Sequence, residues 1–188
     1  MISRRGDKTG RRKSRSRPDR PADKEDAAAR SAPRERRVSL RIRRVRATDI
    51  PLVVALDKRV TAIAKARYWQ GVFERYGRHR LKERFFLVAE PLEGKPEARI
   101  LGFIIGELRA WEFGSGPCGW IFALSVEPGA RLRGTGEALF NAISAEFKKS
   151  GVTTVRTMVR RDSTLPMLFF RGEGMMAGPY IQLEKEID

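Results

Sequence analysis

The chain reads as one α/β domain, a mixed sheet with helices against it, behind a disordered basic tail. Three observations carry that reading. The first 38 residues contain 14 Lys or Arg, 6 Asp or Glu, 8 apolar residues and no aromatic one. From Ser39 onward short apolar runs alternate with helix-period stripes, the pattern of packed strands and helices. Finally, 188 residues is room for one ordinary domain and an extension. A segment as poor in apolar area as residues 1–38 cannot offset an ordering entropy of about 1–2 kcal/mol per residue. The domain boundary therefore falls between 38 and 39.

The elements follow in order. Leu40 and Ile42 alternate with Arg41 and Arg43, which opens the fold with a strand. Thr48-Asp49-Ile50-Pro51 reads as a helix start, with Thr48 as N-cap and Pro51 tolerated in the first turn. Trp69, Val72, Phe73 and Tyr76 lie at i, i+3, i+4 and i+7, the buried stripe of a second helix. Two runs, Phe85 to Ala89 and Ile100 to Leu108, flank a Pro91/Gly94/Pro96 turn region and read as antiparallel strands. A third, Trp120 to Val126, lies behind Gly114-Ser115-Gly116-Pro117. A helix from about Gly136 to Ser150 stops at Gly151. Val152 to Val159 follows as a strand, Pro166 to Arg171 as a short helix, and Tyr180 to Glu184 as the strand that closes the sheet.

Composition narrows the chemistry. A net charge of +16 arises from 39 basic and 23 acidic residues, and half of it lies in the tail. The block Arg11 to Arg17 is suited to nucleic acid or another anionic surface by counterion release, or is a solubilising extension. One cysteine, Cys118, forbids an intramolecular disulfide, and one histidine, His79, leaves no conventional zinc site or Ser-His-Asp triad. No uncharged run is long enough to span a bilayer, and no apolar stretch in the tail makes a signal peptide. These features predict a soluble, cytoplasmic protein.

The segment richest in chemistry runs from Leu124 to Phe140. A buried strand enters a glycine turn, and a helix leaves directly. Successive N–H groups in such a turn, with the positive end of the helix, form a cradle for a pyrophosphate. Arg131 and Arg133 add charge beside it.

Arg131-x-x-Gly134-x-Gly136 resembles the acyl-CoA-binding motif, Gln/Arg-x-x-Gly-x-Gly/Ala, of the GNAT superfamily of N-acetyltransferases, over about residues 39–188. The resemblance implies a mostly antiparallel sheet with helices on both faces and acetyl-CoA as co-substrate. It also implies a strand that splays from its neighbour, with the pantetheine arm in the gap bonded to the backbone of Leu124, Ser125 and Val126. Leu132, Arg133, Gly134, Thr135, Gly136 and Glu137 would then surround the pyrophosphate. Family members often carry Asn, a Tyr seven residues later, and Gly-Phe four residues after that. Gly174-Met175 matches the last pair, which puts Phe170 in the tyrosine position and Ser163 in the asparagine position. Phe170 has no proton to give, so the usual general acid is absent or replaced, with Tyr180 or Tyr68 as substitutes.

A thiol leaving group of pKa about 8.5 tolerates that loss. Deprotonating the acceptor is harder: a lysine costs about 4.6 kcal/mol at pH 7, an α-amino group near pKa 8 about 1.4 kcal/mol. Candidate bases are Glu107, inside the strand Ile100 to Ala110, and Glu112, beside Trp111 and Phe113. Each has an ordinary alternative, an arginine pair for Glu107 and a solvated loop for Glu112. Glu127 reads as a turn residue, Cys118 as a packing residue, and the basic run Arg75 to Arg84 as a solvated face or a contact for an acidic acceptor. The function expected is N-acyl transfer from acetyl-CoA to a primary amine of a protein or small molecule, by direct attack in a ternary complex. The alternative is a CoA-binding module of weak catalysis, docked on nucleic acid through its tail.

Overall fold

The structure is a computed structural model that describes residues 39–92 and 99–187. The expectations for residues 1–38, and most of the turn before Ile100, lie outside the described residues. Strands β1 (Leu40–Arg44), β2 (Arg84–Pro91), β3 (Gly102–Arg109), β4 (Cys118–Val126) and β5 (Val155–Thr157) form one sheet in sequence order. The first four pair antiparallel, and β5 pairs with β4 in parallel. Helices α1 (Ile50–Thr61) and α2 (Ala66–Phe73) lie between β1 and β2 in sequence. Helix α3 (Thr135–Lys149) joins β4 to β5, and α4 (Thr164–Gly172) follows β5.

Alternation along the inner strands divides the core into two layers. Phe86, Val88, Phe103 and Ile105 pack with Val53, Leu56, Trp69, Val72 and Phe73 of α1 and α2. Phe85, Leu87, Ala89, Ile104 and Ile121 pack with Leu139, Ile143 and Phe147 of α3 and Phe170 of α4. The stripe predicted for the second helix is therefore core, with Tyr76 half-buried in a π turn, Glu74–Arg78, that ends it.

An ion network ties β1 to the sheet. Glu90 is 1% exposed and stands opposite Arg41 in the β1–β2 register. It accepts from Arg41 Nε at 2.5 Å and from Arg43 Nε at 2.7 Å. Burial alone would raise its carboxyl, yet the two guanidinium groups hold it below the ordinary value. Arg43 also grips Asp49 with two nitrogens, at 2.7 and 2.9 Å. Thr48, expected as the N-cap, lies instead inside a 3-10 turn, Ala47–Asp49, that leads directly into α1, and the Asp49 carboxylate accepts from the N–H of Arg46 at 2.6 Å.

Two expected strands change. Val152 to Val159 contracts to three residues, β5, and Tyr180 to Glu184 forms no strand. A strand needs a partner of matching length, and β5 offers a short edge. Pro179, without an N–H, precedes the segment. Ile181 and Leu183 accordingly remain exposed. No helix among the described residues is long and apolar enough to cross a membrane.

Candidate active site

The site begins with an incomplete strand pair. β4 and β5 pair only over Gly119–Ile121 and Val155–Thr157, so the edge of β4 from Phe122 to Val126 has no β5 partner. A bulge adds to the divergence. Ile105 pairs with Ala123 and Gly106 with Ile121, which leaves Phe122 without a β3 partner. Bulges re-aim side chains and increase local twist, and the Phe122 ring leans against Tyr76 at a centroid distance of 4.9 Å. Between the diverging strands lies a cavity of about 830 Å³.

The turn after β4 closes one end of this cavity. Leu132 has φ +61° and Gly134 φ +84°, and α3 starts at Thr135. Two left-handed residues around Arg133 curl the backbone into a concave run of N–H groups, and the first turn of α3 adds donors without intrahelical partners. Leucine in this conformation costs about 1–2 kcal/mol, and here its side chain is 98% exposed. No burial of Leu132 offsets the strain. Gly136 is required for a second reason. A Cβ there would stand 2.9 Å from the Phe169 ring of α4, so the missing side chain lets α4 press against the start of α3. Phe169 and Phe170 stack edge-on at 5.1 Å, and both rings line the cavity.

The donor set suits a long anionic thioester. The described lining includes Leu124, Ser125, Val126, Arg131, Leu132, Gly134, Gly136, Glu137, Ser163 and Phe170, ten of the twelve residues the sequence nominated for the co-substrate. Arg133 and Thr135 lie in the turn without lining the cavity. Ser125 Oγ is buried without a hydrogen-bond partner while its residue lines the gap, and an amide or hydroxyl of a bound molecule would satisfy it. Past α4, Gly174 adopts φ +82° and Met175 returns to the α3/α4 core, its N–H bonded to Phe170 O at 2.9 Å. The Gly-Met pair thus turns the chain back onto the core just past α4.

The catalytic candidates stand apart from that lining. Glu107 Oε2 accepts from the Tyr76 hydroxyl at 2.9 Å, Oε1 lies 3.0 Å from Arg109 Nε, and Arg84 is 3.8 Å away. The arginine pairing allowed for Glu107 is therefore present, and it reaches the cavity only through Tyr76 and Phe122. Burial, and then the Glu107 hydrogen bond, push the Tyr76 phenol above its ordinary value. Glu112 sits on an exposed turn, 3.8 Å from Arg109. The Tyr180 ring lies under Arg156 at 4.8 Å, and Tyr68 packs on Trp69. The basic run is engaged elsewhere: Arg75 on the carbonyl of Gly71, Arg78 on Glu74, Arg80 on Glu83, and Arg84 over Tyr76.

Several contributors escaped the sequence, three of them from separate elements. Val60 and Met158 line the cavity from the end of α1 and from beyond β5, and no local motif marks them. Glu173 does so from the end of α4, and its carboxyl is raised by burial and then by the charge of Glu137. Its place one helix on from Glu137 in the chain hides the pair. Among the described residues no group of His, Cys, Asp and Glu is arranged to hold a metal ion.

A parallel pair that splays into a left-handed turn at a helix start is the arrangement expected where an acyl-CoA is held. Residues 50–170 match the model of the acetyltransferase (GNAT) family. The chain belongs to that family. The aminoglycoside N-acetyltransferase AAC(6')-Iy, solved in complex with CoA, superposes with a TM-score of 0.67 at 15% identity, covering 82% of this chain and 98% of that one. AAC(6')-Ih from Acinetobacter baumannii gives 0.65 at 14%, covering 80% and 100%. Glucosamine-6-phosphate N-acetyltransferase from Arabidopsis thaliana gives 0.60 at 17%, covering 80% and 99%. At such identities the likeness is one of fold. No curated protein matches the chain by sequence.

Proposed function

We propose that the protein moves an acetyl group from acetyl-CoA to a primary amine by direct attack in a ternary complex. The observation that carries this is the three-residue β4–β5 pairing, which opens a gap leading to the left-handed turn at Leu132 and Gly134. Acetyl-CoA supplies an activated acyl carbon on a thiol leaving group. The turn and the start of α3 hold its pyrophosphate, Arg131 adds charge, and the free edge of β4 from Leu124 to Val126 bonds the pantetheine. A backbone N–H on that edge acts as oxyanion donor to the thioester carbonyl, an effect worth about 2.7–4 kcal/mol for a well-placed donor. Phe169 and Phe170 exclude water on the α3/α4 side.

The new C–N bond forms as the C–S bond breaks, and the thiolate departs without help from Phe170. The acceptor's ammonium proton leaves to solvent before attack. Glu107 and Tyr76 stand behind the Phe122 ring and outside the lining, so they, like Glu112 and Tyr180, receive no role in this scheme. The nucleic-acid reading rests on residues 1–38, outside the described residues. The test is initial-rate kinetics of thiol release at varied acetyl-CoA and amine. Intersecting reciprocal plots support the ternary complex, whereas parallel plots would replace it with a covalent enzyme intermediate.

A further inference from the structure

We infer that the acceptor is a primary amine carried on an apolar alkyl or aryl group rather than a polycationic aminosugar. The inference rests on the acyl-transfer reading above and concerns the other side of the same cavity. The anion-binding turn and α4 occupy the α3/α4 side, so the amine approaches across the α1/α2 side. Three large apolar side chains line the cavity there, alongside Ala123: Val60 in the last turn of α1, Phe122 at the bulge, and Met158 beside Val159. They are 41%, 37% and 59% exposed, an apolar rim open to solvent.

The carboxylates near that rim are already engaged. Glu127 accepts from Arg59 at 2.6, 3.0 and 3.1 Å. Asp57 accepts from Trp69 Nε1 at 2.8 Å and pairs with Lys65 at 3.0 Å. Glu107 holds Tyr76 and Arg109. The two carboxylates in the described lining, Glu137 and Glu173, belong to α3 and to the end of α4, on the other side of the gap. A ligand with several ammonium groups would have to displace arginines to find partners. It would also approach a domain whose residues 39–188 carry 25 basic and 17 acidic residues. One ammonium that becomes neutral before attack, attached to a group that covers Val60, Phe122 and Met158, meets neither obstacle.

The test compares 2-phenylethylamine, kanamycin and glucosamine 6-phosphate as acceptors for the full chain with acetyl-CoA, reading thiol release. The expected result is a kcat/KM for 2-phenylethylamine at least tenfold above either sugar, and a Val60→Glu variant that narrows the ratio to kanamycin by about tenfold. Faster transfer to kanamycin or to the sugar phosphate overturns the apolar assignment and leaves acyl transfer standing. Release with none of the three, from protein that still binds acetyl-CoA, overturns both. An unchanged ratio in Val60→Glu removes Val60 from the acceptor contact and with it the proposed rim.

Discussion

Gly136→Ala separates two reasons for the second motif glycine, close ligand approach and helix packing. The added Cβ would meet Phe169 Cε2 at 2.9 Å, with two further ring carbons at 3.4 and 3.5 Å. A few tenths of an ångström must be found by tilting the ring. The ring is held by Phe170 at 5.1 Å and Phe140 at 6.2 Å, both edge-on, so the displacement is resisted. Overpacking of this kind costs about 1–3 kcal/mol, and at about 2–4 °C per kcal/mol for a domain of this size the melting temperature falls by about 2–12 °C. Phe169→Leu removes the obstructing atoms, so the cost of Gly136→Ala in that background should drop below about 0.5 kcal/mol. Urea unfolding of wild type, both single variants and the double variant measures the coupling. Equal costs of Gly136→Ala in both backgrounds would refute the packing explanation.

Four further variants probe the rest of the account. Glu90→Gln removes the charge that pairs Arg41 and half of the partnership of Arg43, which keeps Asp49, and should cost about 1.5–3 kcal/mol at pH 7, read from urea midpoints. Because the carboxyl of Glu90 is lowered in the fold, its contribution is present above the unfolded value near 4.3 and lost as pH falls through the folded value; the difference between wild type and variant should shrink in acid. The raised carboxyl of Glu173 predicts the opposite trend for the site: protonation as pH falls removes a negative charge facing a polyanion, so acetyl-CoA binds more tightly in acid. Glu173→Gln should flatten that dependence in calorimetric titrations and tighten binding at pH 8 by about threefold to tenfold; an unaltered pH profile would count against it. Tyr76→Phe and Glu107→Gln, both outside the lining, should leave kcat/KM and acetyl-CoA affinity within about twofold of wild type, and a loss of about 10²-fold in kcat/KM would place the pair in proton transfer.

The parts of the fold legible in the sequence are those set by local chemistry. Alternation marked β1, apolar runs marked β2 to β4, the Trp69 to Tyr76 stripe marked α2, and Gly151, at φ +80°, marked the end of α3. The Leu124-to-Gly136 segment was legible for the same reason, since strand, left-handed turn and helix N-terminus adjoin in the chain. What depended on partners was hidden. Tyr180 to Glu184 has a strand's pattern, but pairing is decided by the length of β5. Phe122 reads as one more strand residue until the β3 register reveals the bulge. Glu107 and Glu112 fit a base by residue type and position, while their engagement with Arg109 and Tyr76 appears only once β3 and the π turn are brought together. Val60, Met158 and Glu173 belong to three separate elements, and only the folded sheet brings them to one cavity.

The central claim is that the gap between β4 and β5, closed by the turn at Leu132 to Glu137, is the seat of acetyl-CoA. Calorimetric titration of acetyl-CoA into the full chain, alongside Gly134→Val, tests it most directly. Valine at a φ of +84° cannot keep the turn's shape, so the account predicts saturable one-to-one binding at micromolar concentration to the wild type and none to a variant whose circular dichroism shows it folded. Equal binding by the two proteins would move the site away from the turn, and no saturable binding by folded wild type would contradict the account.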